Sequence, residues 1–203
     1  YKGRLRLKRD DEFGQLGESA DQMTEDLDRS HQAIQAHIAE IKREREKSDN
    51  LLLNILPLSI AERLKRDEVT IADQFEYATV LFSDLVGFTT FSAKLSAEQL
   101  VKKLNILYSK FDDLLDKYSI EKIKTIGDAL MLVSGVPVPY QEHAVEMARM
   151  AFDMIDALAE FNRVHNESLQ IRIGIHTGPV VAGGIGKKKF VYDLWGEIGR
   201  AHV

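Results

Sequence analysis

From Leu27 to Ile55 the apolar residues keep a heptad spacing through a stretch that is otherwise charged. Leu27, Ile34, Ile38, Ile41, Leu52 and Ile55 fall on the a and d positions of one frame, and His31, Arg45 and Ser48 take the remaining seam positions. No proline comes before Pro57. A long helix with such a stripe has nothing local to bury it against. Pairing in parallel with a second copy is the natural solution, so the spacing predicts a dimeric coiled coil. The plainer alternative is a lone amphipathic helix packed on its own domain. Pro57 then interrupts the run Leu51-Leu52-Leu53-Asn54-Ile55-Leu56-Pro57-Leu58. Proline suits a first helical turn, so a hinge and a second short helix over 59–66 are expected there.

The chain has 203 residues, enough for one domain of ordinary size plus an appendage. A net charge of −5 gives no reason to expect nucleic acid as a partner. The absence of cysteine excludes disulfides and thiolate metal sites, and it fits a reducing cytosol. No apolar run reaches transmembrane length. The chain opens on Tyr1 rather than Met. It is therefore expected to be a piece of a longer protein, with room for a membrane segment upstream.

From about residue 75 the pattern alternates in type. A strand over 77–83 leads to an amphipathic helix over 97–117. Strands follow at 121–125 and 129–134, joined by Gly127-Asp128, a hairpin signal. A helix over 141–162 carries Ala144, Met147, Ala148, Ala151, Met154, Ile155 and Leu158 on one face. Further strands are expected at 170–176, at 180–183 and near 190–194. The order β-α-β-β-α-β is a ferredoxin-like α+β plan, an antiparallel sheet with helices on one face.

Two aspartates stand out on this plan. Asp84 ends the apolar run of Val80-Leu81-Phe82-Ser83-Asp84-Leu85-Val86-Gly87-Phe88-Thr89, and Asp128 closes Ile123-Lys124-Thr125-Ile126-Gly127-Asp128. Carboxylates at the ends of neighbouring buried strands suit a hard cation such as Mg²⁺, and such a site suits phosphoryl transfer. Taken singly, Asp84 also reads as a helix cap and Asp128 as a turn former.

Four motifs stand in order: Phe82-Ser83-Asp84-Leu85-Val86-Gly87-Phe88-Thr89, Lys124-Thr125-Ile126-Gly127-Asp128, Arg172-Ile173-Gly174-Ile175-His176-Thr177-Gly178, and Tyr192-Asp193-Leu194-Trp195-Gly196. Together they resemble the class III nucleotidyl cyclases, over about residues 47–196. Residues 46–66 resemble the helical transducing element that precedes such domains. Asp11-Glu12-Phe13-Gly14-Gln15-Leu16 resembles the second helix of a HAMP linker. The implied organisation is a HAMP-like part at 1–30, coiled-coil and transducing helices at 31–70, and a catalytic domain at 71–197.

The resemblance implies that Asp84 and Asp128, with the Leu85 carbonyl, hold two Mg²⁺ or Mn²⁺ ions per site. Gly87, Phe88 and Thr89 would offer backbone N–H groups to phosphate, and Arg172 would contact the triphosphate. Lys124 and Asp193 would read the base. Lysine donates to adenine N1 and aspartate accepts from the 6-amino group, so the pair implies ATP. The implied reaction is in-line attack of the ribose 3′-oxygen on the α-phosphorus, giving 3′,5′-cyclic AMP and pyrophosphate. The implied assembly is a homodimer with shared sites, in the cytoplasmic part of a membrane-anchored receptor. The alternatives are a guanylate cyclase and a non-catalytic dimerisation module. The family next expects a Val-Asn-x-Ala-x-Arg pattern. Here Arg200 stands at the asparagine position and Val203 falls one residue short of the arginine. Residues 198–203 are therefore expected to be a non-native tail, and the chain as it stands to be weakly active or inactive.

Overall fold

The computed structural model describes residues 12–53, 55–66, 68, 70–186 and 190–196, with side chains from residue 15 onward. The chain divides into two compact units, Tyr1–Ile55 and Leu56–Val203. The first is helix α1, Glu12–Leu53, unbroken over 42 residues. At 1.5 Å per residue it is about 63 Å long. Leu27, Ile34, Ile38 and Ile41 are exposed along it. Ion pairs one turn apart, Arg29 with Glu25 and Asp26 and Lys47 with Glu44, lace its surface. Such pairs add only a few tenths of a kcal/mol each. The helix ends at Leu53, so Ile55, expected in the seam, lies beyond it and is exposed. Of the HAMP-like start, residues 1–11 lie outside the described residues.

The second unit begins with helix α2, Leu58–Lys65, entered directly from Pro57. Ile60 and Ala61 are its buried residues. Arg63, half-buried, pairs with Glu68 and with Asp73. The remaining elements are β1 (Ala72–Val86), α3 (Phe88–Ser92), α4 (Ala97–Leu115), β2 (Ile120–Ile126), β3 (Ala129–Ser134), α5 (His143–His165), β4 (Gln170–Ile185) and β5 (Val191–Trp195). The sheet order is β2-β3-β1-β4-β5, and every neighbouring pair is antiparallel. This is the expected ferredoxin-like plan with β5 added beside β4. Helix α4 starts at a full capping box, with Ser96 and Gln99 satisfying each other's backbone N–H.

Helices α4 and α5 cover one face of the sheet. Leu81, Leu85, Leu130 and Leu132 meet Leu107 and Phe111 of α4 and Met147, Met150, Met154, Leu158 and Phe161 of α5. The α5 face differs from the expected one: Ile155 and Ala144 are exposed, while Met150 and Phe161 are buried. A helix turns about 100° per residue. Ile155, one residue past buried Met154, therefore lands on the rim. Phe111 is core. Phe88 and Phe91 pack at the core's edge, and Phe82 lies half-buried on the opposite face. His143 bonds Thr79, and His165 packs at a tilt against Phe161.

Two strand expectations need correction. β1 runs past Ser83 to Val86, so Asp84 lies inside the strand, paired in register with Arg172. β4 is one strand where two were expected. Thr177-Gly178-Pro179 does not break it, because the β1–β4 register shifts between Phe75 and Ala78. Pro179 sits opposite that irregularity, where a missing N–H costs no ladder bond. Residues 187–189 and the tail 197–203 lie outside the described residues.

At the start of β1 the strands approach closely. A Cβ on Gly183 would lie 2.5 Å from the Ile71 carbonyl oxygen. That same oxygen accepts a 2.9 Å bond from the Gly184 N–H. Gly183→Ala is therefore expected to lower unfolding free energy by about 1–3 kcal/mol in urea titrations. Gly174→Ala, whose Cβ meets nothing within 4 Å, is expected to change it by less than about 0.5 kcal/mol.

Candidate active site

Successive residues of a strand point to opposite faces of its sheet. Leu81 and Leu85 enter the helix-covered core, so Phe82 and Asp84 point to the open face. Met131 pairs with Phe82 and Arg172 with Asp84, which places them on that face too. An Arg172 guanidinium nitrogen donates to Asp84 Oδ2 at 2.7 Å. The pair is exposed, 74% for the arginine and 36% for the aspartate. It is therefore worth little to stability.

Asp128 arrives from the β2–β3 hairpin. Ile126 pairs with Ala129, leaving a two-residue tip of Gly127 and Asp128. Gly127 has φ +66°, the left-handed conformation that favours glycine. The tip brings the Asp128 carboxyl beside that of Asp84, near enough for the two to act on each other. Burial raises the Asp128 carboxyl above its usual range, and contact with Asp84 and its charge raise it further. The backbone N–H groups of Asp128 itself and of Leu85 pull the other way.

The same charges act on Tyr108 of α4, whose phenol is pushed up to about 12 by burial and then by Asp128 and Asp84. Tyr108 Oη donates to the Asp128 backbone carbonyl at 2.8 Å. Sequence reading missed this residue. Its only signal was an aromatic on the Leu104, Leu107, Phe111 stripe, which reads as core.

Lys124 and Asp193 come from the two edge strands, β2 and β5. The sheet curls enough for them to meet, and Lys124 Nζ lies 2.5 Å from Asp193 Oδ2. A register shift in β2 decides which lysine does this. Lys122 pairs with Leu132 and Lys124 with Met131, so one extra residue stands between them. Lys122 therefore turns to the helix side, where it bonds Asp112 of α4 at 2.6 Å. Lys124 turns to the open face. Gly87, with φ +76°, bends the chain out of β1 into α3, and the Phe91 N–H returns to its carbonyl. Phe88 and Thr89 open that helix.

The family model for the adenylate and guanylate cyclase catalytic domain matches residues 70–200. The chain belongs to this family. An adenylate cyclase of Mycobacterium tuberculosis is 45% identical over 160 residues, covering 78% of this chain and 36% of its own length. Human atrial natriuretic peptide receptor 2 is 47% identical over 157 residues, covering 76% of this chain and 15% of its own. Among solved structures, the catalytic core of a rhodopsin-guanylyl cyclase with converted specificity, in complex with ATPαS, aligns at a TM-score of 0.61 and 35% identity. That alignment covers 64% of this chain and 71% of the other. The cyclase domain thus spans about a third or less of the curated relatives it matches.

The donor set of the candidate site fits a divalent cation. Two carboxylates meet with like charge, and all their donors are hard oxygens. No cluster of three or more His, Cys, Asp or Glu side chains stands among the described residues.

Because Asp128 holds its proton more tightly when folded, it aids folding below its usual value of 3.8. That aid is lost as pH rises through the raised folded value. In metal-free buffer, Asp128→Asn is therefore expected to melt at a higher temperature than the parent at pH 7, with the gap closing below about pH 3.8. Calorimetry across pH checks this. Added Mn²⁺ is expected to raise the parent's midpoint and leave the variant's unchanged.

Proposed function

We propose that the domain converts ATP into 3′,5′-cyclic AMP and pyrophosphate as part of a homodimer with shared sites. The observation that carries this reading is the meeting of the Asp84 and Asp128 carboxyls on the open face of the sheet. Asp84 and Asp128 hold the divalent cations, with the Leu85 carbonyl as a further oxygen donor. A cation bound there neutralises phosphate charge and eases loss of the 3′-hydroxyl proton. Arg172, already beside Asp84, adds positive charge for the triphosphate. The backbone N–H groups of Gly87, Phe88 and Thr89 face the same phosphates. The 3′-oxygen forms a bond to the α-phosphorus, the bond from that phosphorus to the bridging oxygen breaks, and the 3′-proton leaves to solvent.

Base choice rests on Lys124 and Asp193. Their ion pair holds the lysine donor and the carboxylate acceptor side by side. Adenine offers N1 as acceptor and its 6-amino group as donor, which matches that order. Guanine presents the reverse at those atoms. The solved relative holding ATPαS supports an adenine nucleotide in this fold.

The exposed stripe of α1 supports a parallel coiled coil that brings two domains together. The proposed frame keeps the HAMP-like part at 1–30, the coiled-coil and transducing helices at 31–70 and the catalytic domain at 71–197. The HAMP-like start adds the proposal that the parent protein is a membrane-anchored receptor with this part in the cytoplasm. Among the described residues no helix is long and apolar enough to cross a membrane.

The test incubates the purified full-length protein with Mn²⁺ or Mg²⁺ and either ATP or GTP. Cyclic AMP is the expected product, reduced at least about 10²-fold in Asp84→Ala. Cyclic GMP as main product overturns the Lys124–Asp193 assignment, and no cyclic product from either nucleotide overturns catalysis. Sedimentation tests the assembly: the double variant Ile34→Asp, Ile41→Asp is expected to shift toward monomer and to lose activity in parallel.

A further inference from the structure

The Gly127-Asp128 tip has little of its own to fix it. It is two residues long, and Ile126 beside it is 44% exposed. Yet Asp128 must meet Asp84 across the end of β1, and a small drift of the tip would part the two carboxyls. A contact from α4 ties the backbone of the tip to the core: Tyr108 Oη donates to the Asp128 carbonyl at 2.8 Å. Tyr108 is well placed to act as an anchor. It sits one residue after Leu107, which is fully buried, and its ring packs edge-on against Phe111 at 6.0 Å. Phe111 is 1% exposed. The hydroxyl is thus carried by a stretch of α4 whose neighbouring residues are buried in the core.

The choice of acceptor matters. A phenol bonded to the Asp128 carboxylate would occupy a lone pair that a cation needs. Bonding the backbone carbonyl fixes the residue and leaves its carboxylate to face Asp84.

We propose that Tyr108 is the positioning residue of the cation site, its hydroxyl setting the Asp128 turn so that the Asp84 and Asp128 carboxyls converge. This rests on the reading of Asp84 and Asp128 as the cation-binding pair. Tyr108 touches neither nucleotide nor cation; it acts through Asp128.

The test is Mn²⁺ binding to the full chain without nucleotide, followed by electron paramagnetic resonance and calorimetry. Tyr108→Phe keeps the ring and removes only the hydroxyl. It is expected to weaken Mn²⁺ binding about 3- to 10-fold, the loss of one hydrogen bond. Ser96→Ala removes the cap of the same helix at a comparable cost in stability, and it is expected to leave Mn²⁺ affinity unchanged. In assays of the full-length protein, Tyr108→Phe is expected to raise the Mn²⁺ concentration for half-activity by the same factor, with KM for ATP unchanged. Equal Mn²⁺ affinity in Tyr108→Phe and parent overturns the proposal. So does an equal loss in Ser96→Ala, which would make the effect a general one of stability. If the parent binds no Mn²⁺, or Asp128→Ala binds it as well as the parent, the cation reading itself falls and this inference with it.

Discussion

Two carboxyl groups of like charge are held against each other at one end of a central strand, and the site depends on what keeps them there. β1 is hydrogen-bonded on both sides, to β3 and to β4, so Asp84 cannot move without disturbing the sheet. Under it, Leu81 and Leu85 lock the strand to α4 and α5. Asp128 is held by a two-residue turn, by the Leu85 N–H on its carboxyl and by Tyr108 on its carbonyl. Arg172 balances part of the charge. Burial, and after it the neighbouring Asp84, holds the Asp128 carboxyl above its usual range. A divalent cation would offset the charge of Asp84.

The other half of the site depends on sheet geometry more than on local contacts. β2 and β5 are the two edges of a five-stranded sheet, and in a flat sheet their side chains would not meet. Twist and curl bring them together on the open face. The register shift in β2 then sorts two lysines two positions apart. Lys122 secures the hairpin to α4 through Asp112, and Lys124 faces Asp193. The register shift opposite Pro179 lets β4 run unbroken from the Arg172 end to the β5 end. One strand thereby links both parts of the face.

Much of this was legible in the residues. The 129–134 strand, the α4 start at Ala97, the Gly127-Asp128 hairpin and the element order follow from periodicity and turn chemistry, which are local. Asp84, Asp128, Lys124, Asp193 and Arg172 stood out as candidates from their motifs. Other features were illegible because they depend on distant partners. Pro179 reads as a strand breaker until its opposite strand is known to be irregular there. Ile155 reads as core until the exact angle of α5 on the sheet places it on the rim. Tyr108 reads as one more apolar stripe residue, since nothing local marks its hydroxyl as aimed at a turn 20 residues later.

The sequence by itself determined the kinds of element, their order, the heptad stripe and the identity of the charged groups, because each follows from short-range spacing and side-chain chemistry. Only the tertiary structure decided which of those groups share a face. Facing in a strand has a period of two residues, and a single extra residue reverses it. That is why Lys124 rather than Lys122 stands beside Asp193. It is also why a tyrosine from α4 comes to hold the aspartate of a hairpin.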